Sequence, residues 1–179
     1  IALARAIVTN PKVMLLDEPL SNLDPKLRES MRFEIKELQR KFGFTIIFVT
    51  HDQSEAMAIS DRMMVCDMGN IMQVDTPTNL YNHPCNRFVH SFLGQSTFLH
   101  AVLEHGKAYA KGDMEHPLPL TVPEGVDREV VIATRPNAVD LNRDHGYETT
   151  IFSRIFLTDS TEYEVKIGNQ LLNCLLYTS

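Results

Sequence analysis

The 179-residue sequence has few cysteines, no tryptophan and no long hydrophobic run. Its three cysteines, Cys66, Cys85 and Cys174, form no Cys-x-x-Cys pair, which argues against a disulfide scaffold or a zinc site and fits a reducing cytosol. No apolar stretch approaches the roughly 18 residues that span a bilayer, so a role at a membrane would require partner subunits. A formal net charge of −6 argues against a nucleic-acid binder that works by neutralising phosphates.

The glycine-rich phosphate-binding motif Gly-x-x-x-x-Gly-Lys-Ser/Thr is also absent. The one Gly-Lys pair, Gly106-Lys107, is followed by alanine. The overall composition is that of an ordinary soluble globular protein, with 44% hydrophobic and 22% charged residues. A chain of this length forms one large domain or two small ones.

The most informative feature is an apolar segment that runs into two adjacent acids. Residues 13–16 are apolar, and Asp17 and Glu18 follow directly. Such a run predicts a strand buried on both faces, as in a parallel sheet. Open α/β sheets bind their ligands at the carboxyl ends of strands, and a carboxylate placed there needs a cation, a hydrogen-bonding partner or solvent. The segment therefore predicts a site for a Mg²⁺-nucleotide.

A helix and a second apolar strand follow this segment. Asp24-Pro25 predicts the start of the helix, Gly43 predicts its end, and residues 44–49 predict the next buried strand. Strand, helix and strand with short connections form a βαβ unit with parallel strands. Because parallel strands end at the same edge of a sheet, we expect Asp17-Glu18 to lie close to Thr50-His51-Asp52.

The next segments predict a short helix and a hairpin. Asp52 and Glu55 have the spacing of a capping box for a helix over residues 53–60. Two apolar segments on either side of Met68-Gly69-Asn70 predict a hairpin with a glycine turn. We expect Cys66, in the first of these strands, to be a small core residue.

From residue 95 onward the pattern changes to short strand-like segments separated by turn residues. The candidate strands are residues 98–103, 130–134, 150–157, 161–167 and 170–172. Their spacing predicts a small β-barrel or sandwich. We place a domain boundary near residues 94–97, which gives domains over residues 1–94 and 95–179.

Several of these elements resemble the motifs of one family, in order and at family-like spacing. They are residues 2–6 (the helix after the signature motif), 13–19 (the Walker B strand with its catalytic glutamate), 21–24 (the D-loop), 49–52 (the switch-histidine segment) and 135–139 (a recurring element of the regulatory domain). The chain therefore resembles the ATP-binding subunit of ABC transporters, of the importer type with a C-terminal OB-like regulatory domain.

The resemblance implies a fold for each part of the chain. Residues 1–94 would be the C-terminal part of a P-loop NTPase domain, an α/β domain with a parallel sheet. Residues 95–179 would be a small all-β, OB-like regulatory domain that is incomplete. The phosphate loop, the glutamine loop and the signature motif of the family would lie upstream of Ile1, so the resemblance also implies an N-terminally truncated fragment.

The resemblance also implies a role for each matched residue, with ATP and Mg²⁺ as cofactors. Asp17 would hold Mg²⁺ through its water shell, since this cation keeps several waters. Glu18 would act as general base on the attacking water. His51 would hydrogen-bond the γ-phosphate of ATP and contribute to catalysis. The D-loop residues would lie at the interface between two copies of the subunit: Ser21, Asn22, Leu23 and Asp24.

The implied function is ATP hydrolysis that energises solute import across the cytoplasmic membrane. The subunit would work as a homodimer, bound peripherally to two transmembrane permease subunits at the cytoplasmic face and served indirectly by an extracytoplasmic solute-binding protein. No nucleic-acid partner is expected. Residues 155–163 resemble the regulatory domains of iron(III), polyamine or related small-ion importers more than those of sugar importers.

Three alternatives remain open at this point. The first is an ATPase of the same family that serves a sugar or another solute. The second is a non-transport ABC ATPase, against which the acidic charge balance and the β-rich tail both argue. In the third, residues 95–179 carry the main function as a ligand-sensing or protein-binding module, since OB-like barrels bind oligonucleotides or sugars.

We predict that the isolated 179-residue chain neither binds Mg-ATP tightly nor hydrolyses it. The reason is that the sequence lacks the backbone loop and the lysine that cradle the phosphates. Calorimetric titration of the chain with Mg-ATP measures the affinity, and we expect no saturable heat. A dissociation constant in the micromolar range would contradict this prediction.

Overall fold

A computed structural model describes residues 2–123, 125, 128–141 and 146–177, and the side chains from residue 5 onward within these ranges. The chain divides into two compact units, Ile1–Val89 and His90–Ser179. The boundary predicted near residues 94–97 stays a prediction. Among the described residues, no helix combines the length and the apolar character needed to cross a membrane.

The first unit alternates helices and strands. Its elements are α1 (Ala2–Val8), β1 (Val13–Asp17), α2 (Pro25–Phe42), β2 (Thr45–Val49), α3 (Gln53–Ile59), β3 (Met63–Asp67), β4 (Asn70–Asp75) and α4 (Pro77–Asn82), followed by α5 (Arg87–Phe92) across the division. β1 and β2 pair in parallel, with Val13 opposite Thr45 and Asp17 opposite Val49. The predicted βαβ arrangement is therefore confirmed.

α2 begins and ends at the predicted residues. The Oδ1 atom of Asp24 accepts a hydrogen bond from the backbone N–H of Leu27 at 3.0 Å, and Pro25 occupies the first turn. Gly43 ends the helix with a φ of 68°, and its N–H donates to the carbonyl oxygen of Gln39 at 2.9 Å. The left-handed backbone at this position favours glycine, since it has no Cβ.

One face of the β1–β2 sheet is packed and the other is bare. The packed face lies against a core formed by Leu20, Ile35 and Ile59, which come from a loop, α2 and α3. On the opposite face Leu15 is 72% exposed and Ile47 is 52% exposed. The prediction that strand 13–16 is buried on both faces is wrong for this structure, because α2 and α3 cover only one side of the two-stranded sheet.

β3 and β4 form the predicted hairpin. Met68 and Gly69 both have positive φ, 46° and 82°, as a two-residue type I′ turn requires. Cys66 is exposed and lies opposite Ile71, so the expectation that it is a core residue is wrong. The alternate side chains of β3 face the interior, and Cys66 falls on the other face. The buried cysteine is Cys174, in the second unit.

The second unit contains two antiparallel sheets. Its strands are β5 (Thr97–Glu104), β6 (Lys107–Ala110), β7 (Pro117–Leu118), β8 (Arg128–Thr134), β9 (Thr150–Leu157), β10 (Ser160–Ile167) and β11 (Gln170–Tyr177). The strand orders are β7-β6-β5-β8 and β11-β10-β9. The sequence predicted β5 and β8 to β11 but missed the short strands β6 and β7. An α/β part followed by a β-rich part confirms the predicted fold class.

The two sheets share one hydrophobic core. Its buried residues are Leu99, Ala101, Leu103, Ala108, Ala110, Leu118, Val165, Ile167, Leu172 and Cys174. Three of these residues are alanines: Ala101, Ala108 and Ala110. Close packing of this kind makes a core sensitive to small changes in volume.

Arg135, which directly follows β8, holds the start of the second unit in place. Its side chain is buried, and its Nη1 atom donates to three carbonyl oxygens: those of His90 (2.7 Å), Gly94 (3.2 Å) and Gln95 (3.1 Å). Burial and then the Arg135 charge lower the pKa of His90 below its ordinary value of 6.5. The lowered pKa favours the neutral form of His90 beside the charged arginine.

We predict that Gly168→Ala destabilises the protein more than Gly106→Ala does. Both glycines have positive φ, 59° and 74°, so alanine strains the backbone at either position by about 1–2 kcal/mol. A Cβ atom at Gly168 would also lie 2.6 Å from the carbonyl oxygen of Lys111, whereas nothing lies within 4 Å at Gly106. Urea unfolding should show an additional loss of about 1–3 kcal/mol for Gly168→Ala. Equal losses for the two variants would contradict the close contact.

Candidate functional site

The carboxyl ends of β1 and β2 bring the predicted acid and histidine together. The backbone N–H of Glu18 donates to the carbonyl oxygen of Val49 at 2.8 Å, which continues the parallel pairing past the end of β1. Glu18 and His51 are 33 residues apart in sequence, yet His51 Nδ1 lies 2.9 Å from Glu18 Oε1. The predicted convergence at one edge of the sheet is therefore confirmed.

The contact between Glu18 and His51 raises the pKa of His51 above its ordinary value of 6.5. The hydrogen bond to Glu18 is the largest cause, and the Glu18 charge is the next. As the pH rises through this raised pKa, His51 loses its proton and the pair weakens. The side chains are 75% and 47% exposed, so solvent screens the pair and a ligand can displace it at small cost.

Glu18 has a backbone conformation that is uncommon for a residue with a side chain. Its φ is 43°, in the left-handed region. The loop that follows holds this conformation, because the N–H and the hydroxyl of Ser21 both donate to the carbonyl oxygen of Glu18, at 3.3 and 2.9 Å. Strain of this kind persists where the surrounding structure fixes it, and it is concentrated at functional sites.

The four residues predicted to form a subunit interface make up the loop between β1 and α2. Ser21, Asn22 and Asp24 are exposed. Leu23 is half-buried and packs against the core of the first unit. The polar side chains of the loop therefore lie on the surface beside Glu18, and their interface role stays a prediction.

Asp17 is exposed at the end of β1, next to Glu18 in the chain. Within the part of the chain that the structure describes, no group of three or more His, Cys, Asp or Glu side chains is arranged to hold a metal ion. One aspartate beside a glutamate suits Mg²⁺, which binds through one or two carboxylates and keeps its waters. A closed structural Zn²⁺ site takes four protein ligands, more than these two acids supply.

Next to His51 lies a network of hydrogen bonds and ion pairs around the buried Glu55, which was not predicted from the sequence. In the predicted capping box, Asp52 Oδ1 accepts a hydrogen bond from Glu55 N at 3.1 Å, as expected. The Glu55 side chain instead accepts from Thr50 Oγ1 at 2.7 Å, and its exposed fraction is only 2%. Arg28 pairs with it from α2. One signal was available, since Arg28 precedes Ile35 by seven residues and so shares its helix face.

The second unit has a separate cavity of about 560 Å³, lined by the turn after β6 and by the segment before β9. Asp113 lies at this cavity. Its carboxylate accepts hydrogen bonds from the Tyr147 hydroxyl and from the backbone N–H groups of Glu115 and His116. These bonds, Tyr147 first, lower the pKa of Asp113. The Asp113 carboxylate therefore fixes the turn beside this cavity.

We predict that Glu18→Gln lowers the pKa of His51 towards 6.5, because it removes the charge that stabilises the protonated ring. An NMR titration of the His51 ring, assigned by its loss in His51→Asn, measures the pKa. Glu37→Gln is the control, since Glu37 is exposed and pairs with Arg40. A His51 pKa that is unchanged in Glu18→Gln would show that the contact does not form in solution.

The chain is similar to curated ATP-binding proteins of import systems, although no protein-family profile matches it. It is 42% identical over 177 residues to the spermidine/putrescine import ATP-binding protein PotA of Pseudomonas fluorescens strain Pf-5, covering 94% of this chain and 48% of the relative. It is 45% identical over 149 residues to the Fe(3+) ions import ATP-binding protein FbpC of Escherichia coli K12, covering 83% and 42%.

A third relative is the spermidine/putrescine import ATP-binding protein PotA 1 of Pseudomonas aeruginosa, with 40% identity over 177 residues, covering 94% of this chain and 48% of the relative. The chain spans about half the length of the curated relatives it matches. The expected resemblance is confirmed by identity that extends over most of the chain. The chain therefore belongs to the family of ABC-importer ATP-binding subunits.

Proposed function

We propose that the complete protein carrying this sequence hydrolyses ATP to energise solute import across the cytoplasmic membrane. The observation that supports this most strongly is the contact between Glu18 and His51 at the carboxyl edge of the parallel strands. It occurs in a chain that is 42% and 45% identical to two import ATP-binding proteins. Neither the sheet edge nor the identity alone would specify this chemistry.

Phosphoryl transfer assigns a separate role to each of three residues: Asp17, Glu18 and His51. Asp17 would hold Mg²⁺ through waters, and the cation would supply neutralising charge to the phosphate oxygens. Glu18 accepts a proton from the attacking water as general base. His51 donates a hydrogen bond to the γ-phosphate. This reaction requires mostly positioning and charge stabilisation. These three side chains therefore suffice when they are combined with a phosphate-binding loop, which this sequence lacks.

The geometry around Glu18 supports its role as a base that is held ready. Its carboxylate is tied to His51 by an exposed contact, and its backbone is fixed by Ser21. A ligand that draws His51 away leaves the Glu18 carboxylate free to accept a proton. The change needs only one weak, solvent-screened contact to break.

The loop from Ser21 to Asp24 supports a homodimer as the working form. Its polar side chains are exposed, and Ser21 is bonded directly to the residue proposed as the base. In this proposal the loop contacts the second copy, and the dimer docks on two transmembrane permease subunits at the cytoplasmic face of the membrane. An extracytoplasmic solute-binding protein delivers the solute to the permease.

The solute is proposed to be a polyamine or iron(III). The printed names of the relatives are spermidine/putrescine and Fe(3+) import proteins, and both kinds match this chain at similar identity, 42% and 45%. Identity therefore does not choose between the two. A sugar importer ATPase is the alternative within the same family.

We predict that Glu18→Gln in the complete protein lowers ATP turnover by about 10²–10⁴-fold, because the general base is lost. ATP binding is retained, so the variant accumulates as an ATP-bound dimer. Phosphate release and size-exclusion chromatography with Mg-ATP measure the two effects, with Glu37→Gln as the matched control. Steady-state hydrolysis that persists in Glu18→Gln would remove this residue from its role.

Solute uptake into vesicles that contain the permease subunits tests the transport part of the proposal. We expect uptake of a polyamine or of iron(III) that depends on ATP and stops in Glu18→Gln. ATP hydrolysis without any coupled uptake would favour the non-transport ABC ATPase.

A further inference from the structure

A single arginine joins the loop after β1 to the segment after β2. Arg28 lies near the start of α2, and its Nη2 atom donates to the carbonyl oxygens of Ser21 and Leu23, both at 3.3 Å. The same guanidinium group lies 3.5 Å from Asp52 Oδ2 through Nη1 and 3.5 Å from Glu55 Oε1 through Nε. One side chain therefore contacts both segments that carry proposed site residues.

The other end of this link holds the backbone on both sides of His51. Glu55 Oε2 accepts a hydrogen bond from Thr50 Oγ1 at 2.7 Å, and the same hydroxyl oxygen accepts one from the backbone N–H of Asp52 at 3.0 Å. Thr50 and Asp52 are the two neighbours of His51 in the chain. The position of the His51 backbone is therefore tied to Glu55, and through Glu55 to Arg28.

Burial constrains the Glu55 end of this link, whereas the Arg28 side chain is 27% exposed. Glu55 is 2% exposed, so its carboxylate must keep its partners, since a buried charge without them is strongly unfavourable. The guanidinium group of Arg28 is planar, and its donors point in fixed directions that a lysine cannot reproduce. A shift of the Ser21 and Leu23 carbonyls therefore moves the group that pairs with Glu55.

We propose that Arg28 is a positioning residue that couples the Ser21–Asp24 loop to His51. A displacement of the loop passes through the guanidinium group to Glu55 and Thr50, and from there to the backbone of His51. The inference rests on the proposed function, in which the loop contacts the second copy and His51 contacts the γ-phosphate. Binding of the second copy then shifts His51 relative to the nucleotide through the Arg28 side chain.

The chain offers a matched control for the link. Lys36 Nζ lies 2.6 Å from Asp61 Oδ1, so this pair also joins α2 to the end of the α3 segment. It contacts neither the Ser21–Asp24 loop nor the Thr50–Asp52 segment. Asp61→Asn therefore loosens the same pair of elements without breaking the proposed coupling.

The test is hydrogen–deuterium exchange, measured by mass spectrometry on the complete protein, for peptides over residues 19–24 and 49–55. Glu55→Gln should raise exchange in the 19–24 peptide by roughly threefold or more, although it lies some 30 residues away, because contacting residues couple at this scale. Arg28→Lys should raise exchange in both peptides. In the double variant Arg28→Lys/Glu55→Gln, exchange in the 19–24 peptide should rise no more than it does in the single variant with the larger effect.

Asp61→Asn should leave exchange in both peptides at the wild-type rate. An unchanged 19–24 peptide in Glu55→Gln, or an equal change in Asp61→Asn, would overturn the proposal. If Glu55→Gln fails to fold, the milder variant Arg28→Lys provides the test instead. Unchanged exchange in its 49–55 peptide would then overturn the proposal.

ATP hydrolysis provides the second readout and separates the two proposals. Positioning predicts that kcat falls in Arg28→Lys and Glu55→Gln while KM for ATP is unchanged, and that Asp61→Asn keeps the wild-type kcat. A wild-type protein that does not hydrolyse ATP would refute the proposed function, while the exchange data would still decide whether the link exists. An unchanged kcat in both Arg28→Lys and Glu55→Gln would overturn the proposed coupling but not the proposed function.

Discussion

The parallel pairing of β1 and β2 is the constraint on which the site depends. It places the ends of two segments that are distant in sequence at one sheet edge, so that Glu18 and His51 meet at 2.9 Å. The hydrogen bond from Glu18 N to the Val49 carbonyl extends that pairing one step further. Since backbone bonds set the geometry, the two side chains can stay exposed and still be precisely placed.

Precision at this edge comes from hydrogen bonds to the two supporting segments rather than from the exposed pair itself. Ser21 fixes the left-handed backbone of Glu18, and Arg28 holds the following loop through carbonyl oxygens. Glu55 and Thr50 do the same for the His51 segment. The reactive groups are thus free to exchange partners while their supports remain paired, which is the arrangement that a preorganised site requires.

Local signals in the sequence were sufficient for the features that depend on nearby residues. Asp24 and Gly43 marked both ends of α2, and the Met68-Gly69 turn marked the hairpin, because caps and turns act over a few residues. The bare face at Leu15 was not foreseen, since an apolar run does not show how many of its faces find a cover. Nor was the inward turn of Glu55, because its partner Arg28 comes from a different helix.

The decisive measurement is a structure of the complete protein with Mg²⁺ and a non-hydrolysable ATP analogue. We expect the analogue at the carboxyl edge of β1 and β2, with the His51 ring within hydrogen-bonding distance of the γ-phosphate and no longer bonded to Glu18. We also expect Mg²⁺ near Asp17, separated from the carboxylate by water. A nucleotide bound elsewhere, with the Glu18–His51 contact intact, would show that this sheet edge is not the nucleotide site.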